Sequence, residues 1–262
     1  MLKVYIVNAF TKDEFGGNPA AVVPLQKWLP DNLMQQMAAQ HNLAETAFIV
    51  RDGSQFSIRW FTPTVEVDLC GHATLASAHI FFSSLHYADQ KILFNSKSGP
   101  LSAIKQGDGS ICLDFPVNPP TPTSMLPEIE KGLNIRPTEI YSSTFDYMAV
   151  FDSQQEIEKL TPDFKMLARV ETRGLLATAP GNDADFVARC FFPQSGIDED
   201  PVTGSAYTVL APYWSKRLGK KKMSAIQLSL RKGHVNCEWT GSRVLISGFA
   251  KTYLQGEISI SV

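Results

Sequence analysis

The chain has 262 residues, 44% of them hydrophobic, which is enough to fill one large core or two ordinary ones. Its 24 basic and 26 acidic side chains leave a formal charge of -2, so no broad field favours nucleic acid or an anionic membrane. No apolar run approaches the roughly 20 residues of a membrane-spanning helix, and the opening residues alternate as a mature strand does rather than as a secretory signal, which favours the cytoplasm.

In chain order, residues 2–8 alternate and predict a strand. Residues 16–22 carry two glycines but neither the Lys-Ser/Thr of a phosphate loop nor dinucleotide-binding spacing. They read as a turn entering a strand, with Asn18 available to bond a neighbouring loop or a ligand. Asp31 predicts the N-cap of an amphipathic helix that places Leu33, Met34, Met37 and Ala38 on one face and ends near Asn42. Glu45 follows, before an apolar strand at 46–50. Flanked by Leu43, Ala44, Ala47 and Phe48, its carboxylate is expected to be desolvated, which raises a carboxyl pKa and suits a proton shuttle. An ordinary exposed loop glutamate is the competing reading.

Residues 56–61 predict a further strand, and residues 71–82 are apolar nearly all round, as a buried helix is. Strands at 101–106 and 110–115 flank a hairpin turn at 107–109. Residues 116–127 hold five prolines and predict an extended linker. A second buried helix is expected at 204–214, which Pro212 must bend or end. Lys216, Arg217, Lys220, Lys221 and Lys222 read as a solvated loop after it. The four cysteines, Cys70, Cys112, Cys190 and Cys237, have no CxxC spacing and predict free thiols, with Cys112 and Cys237 in the core.

The chain also repeats itself. Phe56, Arg59, Phe61 and Pro63 recur as Phe186, Arg189, Phe191 and Pro193 at a constant offset of 130. Val67-Asp68 then meets Ile197-Asp198, Cys70 meets Asp200 and, after a small insertion, Gly71-His72-Ala73 meets Gly204-Ser205-Ala206. Two long copies predict a duplicated domain rather than a solenoid. The expected organisation is a first lobe at 1–115, a linker at 116–127, a second lobe at 128–250, and a last strand at 251–262 of either lobe. The expected fold is α+β: two pseudosymmetric lobes, each a strongly curved, mostly antiparallel sheet around a central buried helix.

If the starts of both buried helices face one cleft, the backbone N–H groups at Gly71-His72 and Gly204-Ser205 offer a site for a carboxylate or an enolate-like oxygen. Glu45, His72, Asp200 and Ser205 are the proton-handling and hydrogen-bonding candidates around it. Each has a plainer alternative: a helix-start hydrogen bond for His72, helix capping for Asp200 and Ser205. Cys70, before a helix, is a candidate thiolate or a small buried residue. Cys70 and His72 have no third Cys or His at ligand spacing, so no zinc site is expected.

Residues 17–22 (GNPAAV), 42–48 (NLAETAF), 59–63 (RWFTP), 68–74 (DLCGHAT), 114–116 (DFP) and 198–206 (DEDPVTGSA) together resemble the phenazine-biosynthesis isomerase-like (PhzF-like) family. The resemblance covers nearly the whole chain. It implies a diaminopimelate epimerase-like fold, no cofactor or metal, and a homodimer. It also implies that Glu45 moves a proton within a small unsaturated cyclic amino acid, held and polarised by His72, Asp200 and Ser205. Epimerase relatives oppose two cysteines, whereas here Cys70 meets Asp200. An amino-acid racemase using Cys70 with an opposing carboxylate therefore stays open, as does a non-catalytic small-molecule binding protein.

Overall fold

The computed structural model describes residues 1–260, so the last two positions of the expected 251–262 strand lie outside the described residues. The chain divides into two compact units, Met1–Asp114 with the segment from Ser247 onward, and Phe115–Ile246. Both combine mixed sheets with few helices, an α+β architecture.

In the first unit, Ala250–Ile258 pairs antiparallel along Leu2–Ala9, which pairs antiparallel with Asn18–Leu25. The sheet continues to Glu45–Asp52 in parallel, to Gln55–Phe61 antiparallel, to Lys91–Ser96 in parallel and to Gly99–Lys105 antiparallel. The helix Gly71–Ser83 packs against strands from both ends of this order, so the sheet curves around it. Ten of its 13 residues are buried. Its buried hydroxyls fit there because they bond within the helix: Thr74 Oγ1 donates to Cys70 O at 2.5 Å and Ser77 Oγ to Ala73 O at 2.6 Å.

The helix Asp31–His41 buries Met34, Met37 and Ala38 against Val23, Phe48 and Phe61. Asp31 is its first residue rather than its cap: Pro30 precedes it, and the Asp31 carboxylate accepts from Arg59 at 2.8 Å. At the far end Asn42 takes the left-handed conformation, φ 51°, and closes the helix by donating to Ala38 O.

The second unit runs through the same succession of orientations. Glu139–Ser142 and Asp146–Val150 are antiparallel, Gly174–Pro180 joins in parallel, Phe186–Phe192 antiparallel, Lys222–Gln227 in parallel and Gly233–Trp239 antiparallel. The proline-rich stretch expected as a linker is built into this unit. Val117 N–H donates to Ser242 O at 3.1 Å, Thr121–Pro122 pairs with Tyr141 and Ser142, and Pro127 opens a short helix.

The second buried helix begins as a 3-10 turn, Gly204–Ala206, and continues as Tyr207–Leu218 past Pro212. A proline cannot donate to the carbonyl four residues back. That carbonyl, Thr208 O, accepts instead from the Asn118 backbone at 3.1 Å, so the helix neither ends at Pro212 nor leaves the group unpaired. The basic residues expected in a loop are also differently placed. Lys216 and Arg217 lie in the last helical turn and Lys222 opens a strand, and Arg217, Lys220 and Lys222 pair with Glu139, Asp185 and Glu238. The four cysteines are free and buried.

Candidate active site

Three segments of the first unit converge on His72. Gly17 is at φ +65°, and a Cβ there would lie 2.1 Å from Ala9 O, so only glycine makes the turn that delivers Asn18 to the start of its strand. Glu45 opens the neighbouring parallel strand, opposite Ala20. Cys70 precedes the first turn of the buried helix, where Gly71 and His72 follow. Asn18 is fully buried, His72 and Cys70 nearly so, and Glu45 keeps 15% of its side chain exposed.

Asn18 Nδ2 lies 3.2 Å from His72 Nδ1, and an amide NH2 can only donate. Nδ1 is therefore the acceptor and the imidazole proton sits on Nε2, which faces Glu45 Oε2 at 3.2 Å. That separation is also an ion-pair distance, but burial pushes the His72 pKa down to about 3, so the ring is neutral at physiological pH. The contact is misaligned for a full hydrogen bond, as catalytic contacts often are before substrate binds. Cys70 Sγ stands 3.6 Å from the same Nδ1.

Glu45, Cys70 and His72 thus supply three donor atoms within 4.8 Å of one another. Spacing along the chain shows only two of them; Glu45 arrives by folding. The sulfur lies against one ring nitrogen and the carboxylate against the other, whereas one ion takes one nitrogen. The arrangement fits proton handling better than metal ligation.

In the second unit the strand Ile197–Asp200 leads to the other helix start. Asp200 does not cap that helix. Its Oδ2 accepts from the Thr203 hydroxyl at 2.5 Å, and Thr203 is the residue immediately before Gly204. Each buried helix thus starts one residue after a small side chain, Cys70 in one unit and Thr203 in the other. The repeat alignment of Cys70 with Asp200 is corrected accordingly. Ser205 Oγ accepts from Arg173 Nη1 at 3.1 Å and caps nothing.

A matching device precedes each helix start. Arg59 forks onto Glu66 at 2.7 and 2.8 Å. Arg189 forks onto Glu199 at the same two distances. Each pair fixes the short strand that leads to the helix. The repeat marks both arginines but not their carboxylates. Below Asp200, burial and then the Asp200 charge hold the Cys190 thiol far above its usual range, and burial raises Cys237 to about 12, so neither is a nucleophile.

A model of the phenazine biosynthesis-like protein family (PhzC-PhzF) matches residues 7–256. The chain belongs to this family. An uncharacterized isomerase of Pseudomonas aeruginosa is 44% identical over 260 residues, 99% of both chains. A crystal structure of a PhzF-family phenazine biosynthesis protein from Enterococcus faecalis matches with a TM-score of 0.96 at 44% identity, over 99% of each chain. A hydroxyproline epimerase of Agrobacterium vitis shares the fold at a TM-score of 0.59 and 12% identity, over 98% of this chain and 90% of that one. The chain is thus an isomerase of the PhzF-like family with an epimerase-like fold.

In the PhzF-like chain three residues that its sequence did not reveal, Thr203, Gln227 and Arg173, bond to the candidates Asp200 and Ser205 or to the loop between them. Gln227 is fully buried, accepts from Thr203 N at 2.9 Å and donates to Asp200 O at 2.8 Å, bracing the Asp200 loop at both ends. The available signal was alternation. Met223, Ala225 and Gln227 all face inward, and a polar residue at such a position is there to satisfy buried partners.

Proposed function

We propose that this isomerase moves a proton within a small, carboxylate-bearing substrate, an unsaturated cyclic amino acid, with Glu45 as general acid and base and without a cofactor. The observation that carries the reading is the contact of Glu45 Oε2 with Nε2 of a buried, neutral His72 whose other nitrogen is held by Asn18. A neutral imidazole, held from behind by Asn18, sets where the carboxylate sits without placing a charge beside it. Glu45 removes an activated C–H proton, the electron pair spreads into the conjugated substrate, and the same carboxyl returns the proton at another carbon. Asp200, Gly204 and Ser205 are assigned to the substrate's polar groups, as are Cys70 and Gly71. We further propose that the protein is cytoplasmic and, from the family resemblance, a homodimer, the latter measured by sedimentation equilibrium.

The test is solvent deuterium incorporation into a panel of cyclic and acyclic unsaturated amino acids, comparing wild type with Glu45→Gln. The variant is expected to lose about 10²-fold or more, the usual worth of a positioned acid/base. Equal rates would remove Glu45 from the mechanism.

A second reading, amino-acid racemisation with Cys70 as one base and a carboxylate as the other, is favoured by the 3.6 Å approach of Cys70 Sγ to His72 Nδ1. It requires α-carbon exchange that disappears in Cys70→Ser. Retention of exchange in that variant excludes it. A binding protein without turnover would show ligand-dependent thermal stabilisation and no product.

A further inference from the structure

We infer that Arg173 is a positioning and specificity residue that turns Ser205 into a donor for a substrate carboxylate. The inference rests on the assignment of Ser205 to the substrate made above.

Arg173 is held on every side but one. Its Nε donates to Asp146 Oδ1 at 2.8 Å and its Nη2 to Asp146 Oδ2, and the Asp146 side chain is fully buried. The guanidinium lies over the rings of Phe145, at 5.7 Å, and Phe192, at 5.6 Å. Its backbone N–H donates to Phe145 O at 2.8 Å. A buried carboxylate that forks onto one arginine adds little net stability compared with apolar packing, but it fixes the plane of the guanidinium closely. That plane directs Nη1 at Ser205 Oγ, 3.1 Å away, while 38% of the arginine side chain stays exposed.

The donor inventory gives the consequence. A guanidinium has five N–H groups, and three are used here, two by Asp146 and one by Ser205. A second hydrogen on Nη1 and one on Nη2 remain. Because Ser205 Oγ accepts from Arg173, its own hydrogen is directed elsewhere, and no hydrogen bond donated by that hydroxyl is present among the described residues. The second Nη1–H and the Ser205 O–H are adjacent donors, neither hydrogen-bonded to an acceptor among the described residues. Two donors about 3 Å apart match the two oxygens of one carboxylate. A neutral amide offers one acceptor oxygen and an NH2 group that finds no acceptor there. The pair therefore selects for a carboxylate over its amide.

The probes are anthranilate, a stable ring carrying an amine and a carboxylate, and its neutral counterpart anthranilamide, each titrated calorimetrically into the intact protein at low salt. Wild type is expected to prefer the carboxylate by about tenfold or more, the worth of one charge-assisted hydrogen bond. Arg173→Gln leaves Asp146 buried without its cation and is at risk of misfolding. Arg173→Lys keeps that charge but loses the fork, and Ser205→Ala removes the second donor without touching the ion pair. Ser205→Ala is expected to melt like wild type and Arg173→Lys somewhat lower, and both to lose the carboxylate preference while still binding the amide. Wild type with no preference, or a preference that survives in both variants, would overturn the inference. The Glu45→Gln exchange experiment scores the proton-transfer reading separately. Full exchange in that variant would remove Glu45 while leaving the carboxylate preference, and hence Arg173, standing.

Discussion

Gln227 provides a sharp test of how the loop before the second buried helix is held. Gln227→Met conserves volume and removes the acceptor for Thr203 N, the donor to Asp200 O and a longer 3.4 Å contact to Thr203 Oγ1. Two buried backbone groups each lose a partner, at about 1–3 kcal/mol for each loss. Partial relaxation of the loop recovers some of this, so the expected cost is about 2–4 kcal/mol. At about 2–4 °C per kcal/mol for a body of this size, the melting point of the second unit should fall by roughly 5–15 °C. Hydrogen exchange read by mass spectrometry localises the effect. The peptide containing Thr203 should lose protection well before the strand Gly174–Pro180 does, because local opening at the loop becomes cheaper than global unfolding. Exchange of the proposed substrate should fall along with it, since Asp200 and Ser205 flank the loosened segment. A variant that melts within a degree of wild type with the Thr203 peptide still protected would refute the reasoning.

Three further outcomes are expected. His72 has its folded pKa depressed from 6.5 to about 3, so the unfolded chain binds the proton first and stability is lost as pH falls from about 6.5 towards 3. At pH 5 this costs about 2 kcal/mol, and His72→Gln should flatten the acid limb of the stability profile by that amount; an unchanged limb would show that the ring is not buried as neutral imidazole. Gly17→Ala forces a side chain into a left-handed conformation and a Cβ to 2.1 Å from Ala9 O, and should cost about 2 kcal/mol or more, read as a lower denaturation midpoint. Gly174→Ala places a Cβ 2.3 Å from the Phe192 ring that Arg173 overlies, and should weaken anthranilate binding as well as lower the melting point, by about 1–3 kcal/mol.

The sequence discloses most where one chain segment carries its own pattern. The all-round apolarity of 71–82 is a central helix because its few hydroxyls bond within it, which no outside partner can disturb. Asn18, Glu45 and His72 were each singled out locally, yet their convergence depends on parallel pairing of Asn18–Leu25 with Glu45–Asp52, a long-range choice. The errors have a common origin. Pro212 looked disruptive because Asn118, which bonds the carbonyl that Pro212 leaves unserved, lies in a distant segment; Asp31 looked like a cap, and capping stood as the plainer alternative for Asp200, because Arg59 and Thr203 were not yet beside them. A polar residue's partner is decided by the fold, so residue type alone assigns it the nearest local job. Arg173 was passed over for the same reason: its meaning comes from Asp146 and Ser205.

The pairing of Ala250–Ile258 with Leu2–Ala9 bears on how the protein is made. Phe115–Ile246 is continuous and is available to fold as it leaves the ribosome, but the other unit lacks a flanking strand until translation passes residue 258. At about 5–20 residues per second, the chain from residue 115 to residue 258 takes roughly 7–30 s to synthesise. Throughout that interval one side of a β-rich nascent segment stays open to any strand that meets it. Cellular yield should therefore depend on chaperone supply more than the finished molecule's stability would indicate.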